Sequence, residues 1–159
     1  MFVVWLVVLS LSYSHTLPLF VASPSDVSVV SSDFTRARMT AEIFAARIGC
    51  GPVVLDPRLR ERFFGELDGG KDDQYDNVWQ KDRDSADHVE FGCESVNSVI
   101  ARASELVTEL DAEGGGGKVV ILVAHGDVIQ ITQTAFKGMR GEEHRSLPHL
   151  DTAGYRKFN

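Results

Sequence analysis

The chain has 159 residues, 43% of them hydrophobic and 25% charged, with a formal net charge of −7. A single domain of this size can bury roughly 70% of its unfolded surface without metal or disulfide staples, and the composition excludes a fibrous protein, a coiled coil, a polytopic membrane protein and a wholly disordered chain. With only Cys50 and Cys93, neither a disulfide scaffold nor a zinc ribbon can be assembled, and the acidic balance lacks the electrostatic footprint of a general nucleic-acid binder.

The chain opens on Phe2 to Leu11, an apolar run too short to span a bilayer, which takes about 20 residues. It fits the core of a signal peptide, although no Lys or Arg precedes it. It fits equally a buried β-strand, because four of its residues are valine, or a gene start assembled in error. The sequence leaves these open, and with them the compartment: a cytoplasmic chain is preferred, with an N-terminal signal or membrane anchor as the alternatives. The expected organisation is a hydrophobic segment over residues 1–23 followed by a domain over 24–159.

From Val27 the pattern alternates. Val27 to Val30 predicts a short strand, and Ser31-Ser32-Asp33 offers helix-capping side chains. Phe34, Ala37, Ala41, Phe44 and Ile48 then predict an amphipathic helix ended by Gly49. Val53 to Leu55 predicts a brief strand, and LRERFFGELDGG a loop with short helical pieces. Ten acidic residues stand against Lys71, Lys81 and Arg83 between Glu66 and Glu94, a local balance of −7; this stretch reads as a solvated loop, with Tyr75 to Trp79 helical. Ser95 to Leu110 predicts a longer helix, with Val96, Val99, Ile100, Ala103, Leu106, Val107 and Leu110 on one face.

Gly114 to Gly117 follows a helix and precedes a strand, the wrong order for a phosphate cradle, so it reads as a flexible connection. Val119 to Ala124 is the strongest strand, apolar enough for burial on both faces. A helix is predicted from about Val128 to Lys137, with Gly138 ending it. The alternation predicts an α/β three-layer sandwich with a mostly parallel sheet, in which ligands bind outside the carboxyl ends of the strands.

Two strand-to-helix junctions then face the same edge of the sheet. One carries Arg36 in its first helical turn, and the other carries His125 at the strand end. Each helix start adds unpaired N–H groups and a partial positive charge. A surface arginine and a capping histidine are the plainer assignments taken singly; taken together they describe a pocket for a phosphate or carboxylate.

The same residues carry a resemblance. Ser32-Asp33-Phe34-Thr35-Arg36-Ala37-Arg38-Met39-Thr40-Ala41 resembles the S-D-L-x-R-A-x-x-T-A signature of the histidine phosphatase superfamily, which includes the phosphoglycerate mutases. Leu59-Arg60-Glu61-Arg62-Phe63-Phe64-Gly65 is similar to its L-x-E-x-x-x-G element, Glu94-Ser95 with Arg102 to its E-S…R helix, and Val123-Ala124-His125-Gly126 to its late V-S-H-G strand end. The resemblance implies a phosphoglycerate mutase-like fold and phosphomonoester chemistry through a phosphohistidine. Arg36 and His125 would bind the transferred phosphoryl group and stabilise its charge. Glu61 would protonate the leaving oxygen, which requires a raised pKa, and Arg62 would touch the rest of the substrate. No metal and no cofactor are implied, and the partner is a phosphorylated small molecule; the oligomeric state is not implied.

No Arg-His-Gly, the element that holds the family's nucleophile, occurs in the sequence. His15 is the only histidine before Ser31 and has neither an arginine before it nor a glycine after it. The resemblance therefore also implies that the first strand of the sheet is missing, or replaced by Phe2 to Leu9. Three readings follow: a shortened or mispredicted product of a phosphatase or mutase gene, inactive or impaired; a pseudoenzyme that still binds phosphorylated ligands; or an interaction module with a vestigial pocket and the acidic stretch as its surface. A phosphatase is preferred over a mutase, because the short acidic interval from Gly70 to Cys93 disfavours a highly anionic bisphosphate.

Overall fold

Residues 119–123 form the middle strand of a five-stranded sheet. In the computed structural model, which describes residues 3–7, 23–114, 118–150 and 154–158, the strands are β1 (Val3–Val7), β2 (Val27–Ser31), β3 (Val54–Leu55), β4 (Val119–Val123) and β5 (Tyr155–Phe158), ordered β3-β2-β4-β1-β5. The first four are parallel to their neighbours, and β5 runs antiparallel to β1. The helices are α1 (Thr35–Ile48), α2 (Asp76–Asp82), α3 (Val96–Gly114) and α4 (Gly126–Lys137).

Alternation along β4 explains the three layers. Val120 and Leu122 pack with Val99, Leu106, Ile129 and Ile131 of α3 and α4 on one face. Ile121 and Val123, with Val27 and Val29 of β2, pack against Ala37, Ala41 and Ala45 of α1 on the other. Each such side chain, fully buried, stabilises the fold by about 1.5–3 kcal/mol. The small alanines along α1 let that helix sit close to the sheet.

The strand reading of the opening run holds over Val3–Val7, and other elements differ from the sequence reading. Strand β1 lies between β4 and β5, so Val3–Val7 and the rest of the chain share one sheet, and β4 is covered on that side. Residues 8–22, including His15, and residues 115–117 of the glycine run lie outside the described residues. Helix α3 continues one turn further, to Gly114, and α4 starts at Gly126 rather than Val128. Strand β5 was not expected, because Tyr155-Arg156-Lys157-Phe158 is short and half charged.

The acidic interval is not simply solvated. Phe64, Val78 and Cys93 form a small core with Leu67, Tyr75 and Trp79 at its margin, and Asp82 is fully buried. Charge counting fails here because one buried arginine, Arg62, neutralises a carboxylate from inside. The two edges of the sheet differ. At one, β3 is two residues long, with Val54 57% and Leu55 43% exposed; at the other, β5 carries Arg156 and Lys157.

Candidate active site

Strands β2 and β4 pair in register, Ser31 opposite Val123, and Ser32 N–H donates to the Val123 carbonyl at 2.9 Å. The pairing brings the starts of α1 and α4 side by side. Arg36, the second residue of α1, donates from Nε to Nδ1 of His125 at 3.0 Å. His125 Nε2 lies 2.9 Å from Ser32 Oγ. Since Nδ1 accepts from the guanidinium, Nε2 carries the proton and donates to the serine. The histidine caps nothing with its side chain. The expected capping by Ser31, Ser32 and Asp33 is likewise replaced: Ser32 Oγ accepts from Phe34 N–H at 3.2 Å, and Asp33 holds Arg60.

His125 is almost fully buried. Burial first, then the positive charge of Arg36, pushes its pKa down to about 4, so the imidazole is neutral at neutral pH. Its ring edge also meets the face of Phe34, with centroids 5.3 Å apart.

Glu61 lines the same cavity, of about 750 Å³, as Arg36 and Gly126. Burial and the neighbouring Asp127 carboxylate raise its pKa to about 7, although its Oε1 accepts from Arg62 N–H at 3.1 Å. A carboxylic acid that is half protonated at neutral pH suits general acid work.

The loop carrying Glu61 is held by the Glu94–Arg102 pair, which lines the same cavity. Glu94 Oε1 and Oε2 accept from Arg102 Nε and Nη2 at 2.8 and 2.9 Å. Arg102 Nη1 in turn donates to the carbonyls of Arg58 (2.5 Å) and Arg60 (2.9 Å). The Glu94 backbone donates to Phe63 O at 2.8 Å and accepts from Arg62 Nε at 2.8 Å. Carbonyls and side chains on both sides of Glu61 are thereby tied to one point on the start of α3. The glycine of the same element has its own reason. Gly65 has φ +62, and a Cβ there would lie 2.0 Å from Phe91 O, a contact no side chain could relieve because the obstacle is backbone.

Arg62 is placed differently from expectation. It is fully buried, and its fork meets Asp82 at 2.7 and 2.8 Å. Asp82 also takes His88 Nε2 at 2.6 Å. Arg62 therefore fastens the Glu61 loop to α2 from the wall of the cavity, with its fork taken up by Asp82.

Sequence reasoning missed Asp127, Trp79 and Arg145. Asp127 accepts from Trp79 Nε1 at 3.2 Å and from Arg145 at 3.1 Å, and the Arg145 guanidinium stacks 3.8 Å above the Trp79 ring. The signal available was Asp127 itself, next to His125-Gly126; nothing in the sequence ties residues 79 and 145 to it. No cluster of three or more potential metal ligands occurs among the described residues.

Comparison with known proteins gives the family. Residues 13–159 match the histidine phosphatase superfamily, branch 1. The glucosyl-3-phosphoglycerate phosphatase of Mycolicibacterium vanbaalenii is 35% identical over 124 residues, 70% of this chain and 53% of the relative. The metal-independent phosphoserine phosphatase of Arabidopsis thaliana is 30% identical over 137 residues, 78% and 56% of the two chains. This chain thus spans little more than half the length of these two relatives. Among solved structures, native mycobacterial glucosyl-3-phosphoglycerate phosphatase superposes with a TM-score of 0.70 at 32% identity, over 82% of this chain and 67% of that one. Its complex with inorganic phosphate gives a TM-score of 0.73 at 26% identity, over 98% and 87%. The fold, the ordered motifs and these relatives agree: the chain belongs to the histidine phosphatase superfamily.

Proposed function

We propose that this chain binds phosphomonoesters, with the phosphoryl group on Arg36 and His125 and the leaving oxygen toward Glu61, and that its parent activity is phosphomonoester hydrolysis through a phosphohistidine. The observation that carries the reading is the 3.0 Å approach of Arg36 Nε to His125 Nδ1, with Arg36 lining a cavity that Glu61 shares. A guanidinium and an imidazole converging there suit the charge of a phosphoryl group. Phosphatases among the relatives, and a complex of one with inorganic phosphate, support the same class.

In the parent reaction a histidine nitrogen bonds to phosphorus, the ester P–O bond breaks, and the departing oxygen takes the Glu61 proton. Water then cleaves the P–N bond. The sequence of this chain contains no Arg-His-Gly, so binding without turnover is the activity proposed for it as it stands. Vanadate and inorganic phosphate should raise the melting temperature, and Arg36→Ala should abolish the shift. Incubation with labelled phosphomonoesters should leave no acid-labile phosphohistidine. Robust labelling would refute the inactivity; the absence of any anion-dependent shift would refute the pocket and favour an interaction module.

A further inference from the structure

We infer that the cavity selects phosphomonoesters whose alcohol is uncharged and presents a ring or other apolar face, and that it disfavours alcohols bearing a second anionic group. The inference rests on the phosphate reading above and concerns the part of the cavity beyond Arg36 and His125.

The first argument is charge. Five arginines line the cavity, and four of them are already paired with carboxylates: Arg60 with Asp33, Arg62 with Asp82, Arg102 with Glu94, and Arg145 with Asp127. Arg36 has the neutral His125 as its hydrogen-bond partner and no carboxylate ion pair among the described residues. One cation is therefore left for one anion, the phosphoryl group. A carboxylate or second phosphate on the alcohol would have to break one of these pairs, and it would meet the Asp68 and Glu61 carboxyls on the same lining. His149, whose ring lies over Gly126, is the remaining basic side chain there.

The second argument is the wall. Phe34, Phe63, Tyr75 and Trp79 line the same cavity. Phe63 is 55% exposed and Phe34 38%, a large apolar area to leave facing water beside a charged site. Three of the rings are held rather than loose: Tyr75 stacks on Phe64 with centroids 4.0 Å apart, Trp79 lies under the Arg145 guanidinium, and Phe34 carries the Arg36 and Arg60 guanidinium groups 5.6 and 5.8 Å from its centroid. A pre-set aromatic wall takes the flat or apolar face of an alcohol at low ordering cost.

Calorimetric titration of the chain with inorganic phosphate, phenyl phosphate and 3-phosphoglycerate tests this. Phenyl phosphate should bind at least about tenfold more tightly than inorganic phosphate, from the apolar area it buries. 3-Phosphoglycerate should gain nothing over inorganic phosphate. Phe63→Ala should reduce the phenyl advantage while leaving inorganic phosphate binding unchanged, and Phe34→Leu, whose ring also carries Arg36, should reduce the phenyl advantage. Tighter binding of 3-phosphoglycerate than of phenyl phosphate, lost in Arg60→Ala, would overturn the inference by showing that Arg60 leaves Asp33 for a second anion. A phenyl advantage that survives both aromatic substitutions would overturn it as well. Failure of inorganic phosphate to bind at all would overturn the phosphate site, and this inference with it, whereas phosphate binding with a carboxylate preference would overturn the inference alone.

Discussion

Replacing Glu61 by glutamine removes a proton-binding group without removing its shape, and the structure fixes the sign of the result. The folded chain holds the Glu61 proton up to about pH 7, against an ordinary value of 4.5. The unfolded chain releases it earlier, so the carboxyl favours the fold fully below pH 4.5, and that contribution is lost as pH rises through 7. At 1.36 kcal/mol per unit the raw cost above pH 7 is about 3 kcal/mol. Glu61 is only half-buried and opens on the cavity, so solvent screening brings this to about 1–2 kcal/mol. Glu61→Gln should therefore be more stable than the parent at pH 8 by that amount, or about 5 °C for a chain of this size. The advantage should shrink steadily as pH falls from 7 to 4.5. His125 acts in the opposite direction. With its pKa lowered to about 4 from 6.5, it contributes stability present above pH 6.5 and lost as pH falls through 4. Between about pH 4.5 and 6.5 the two slopes oppose in the parent, and the variant should expose the histidine slope alone. Urea unfolding of both proteins across this range measures each slope. A gap that does not change with pH, or a variant less stable at pH 8, would refute the account of Glu61.

Arg62→Ala should destabilise the chain by about 3–5 kcal/mol, because it leaves Asp82 charged and buried without its fork; chemical denaturation measures it. If Arg62 instead contacts substrate, the loss will appear in ligand affinity with stability nearly intact. Arg102→Ala should cost about 1–3 kcal/mol and release the carbonyls of Arg58 and Arg60. The Glu61 titration midpoint, read by carbon NMR of its carboxyl, should then fall from about 7 toward the ordinary value, while phosphate binding at Arg36 persists. An unchanged midpoint would show that the Glu94–Arg102 clamp does not position the acid.

The sheet centre was legible because six apolar residues in a row admit few environments other than a doubly covered strand. The closeness of Arg36 and His125 was legible because each sits at the start of a helix that follows a strand, and parallel pairing of β2 with β4 makes those starts neighbours. The burial and partner of Arg62 were hidden for a physical reason. Sequence places a charged residue at the surface by default, and only the distant Asp82, in a segment of strong negative charge, makes its burial affordable. Trp79 and Arg145 were invisible for the same reason: their partnership through Asp127 joins three elements far apart in the chain. The clamp of Glu94 and Arg102 was visible as a motif, but its target, the carbonyls flanking Glu61, carries no side-chain signature.

The borders of the sheet carry a consequence for behaviour at high concentration. Backbone groups along an unpaired margin can recruit a strand from another molecule, and Val54 and Leu55 are greasy enough to encourage it. Their stretch is only two residues long, too short to zip against a stranger, whereas the opposite margin is studded with Arg156 and Lys157. Brevity weakens strand recruitment on one flank and charge weakens it on the other, so extending the first flank by a few β-branched residues should favour aggregation.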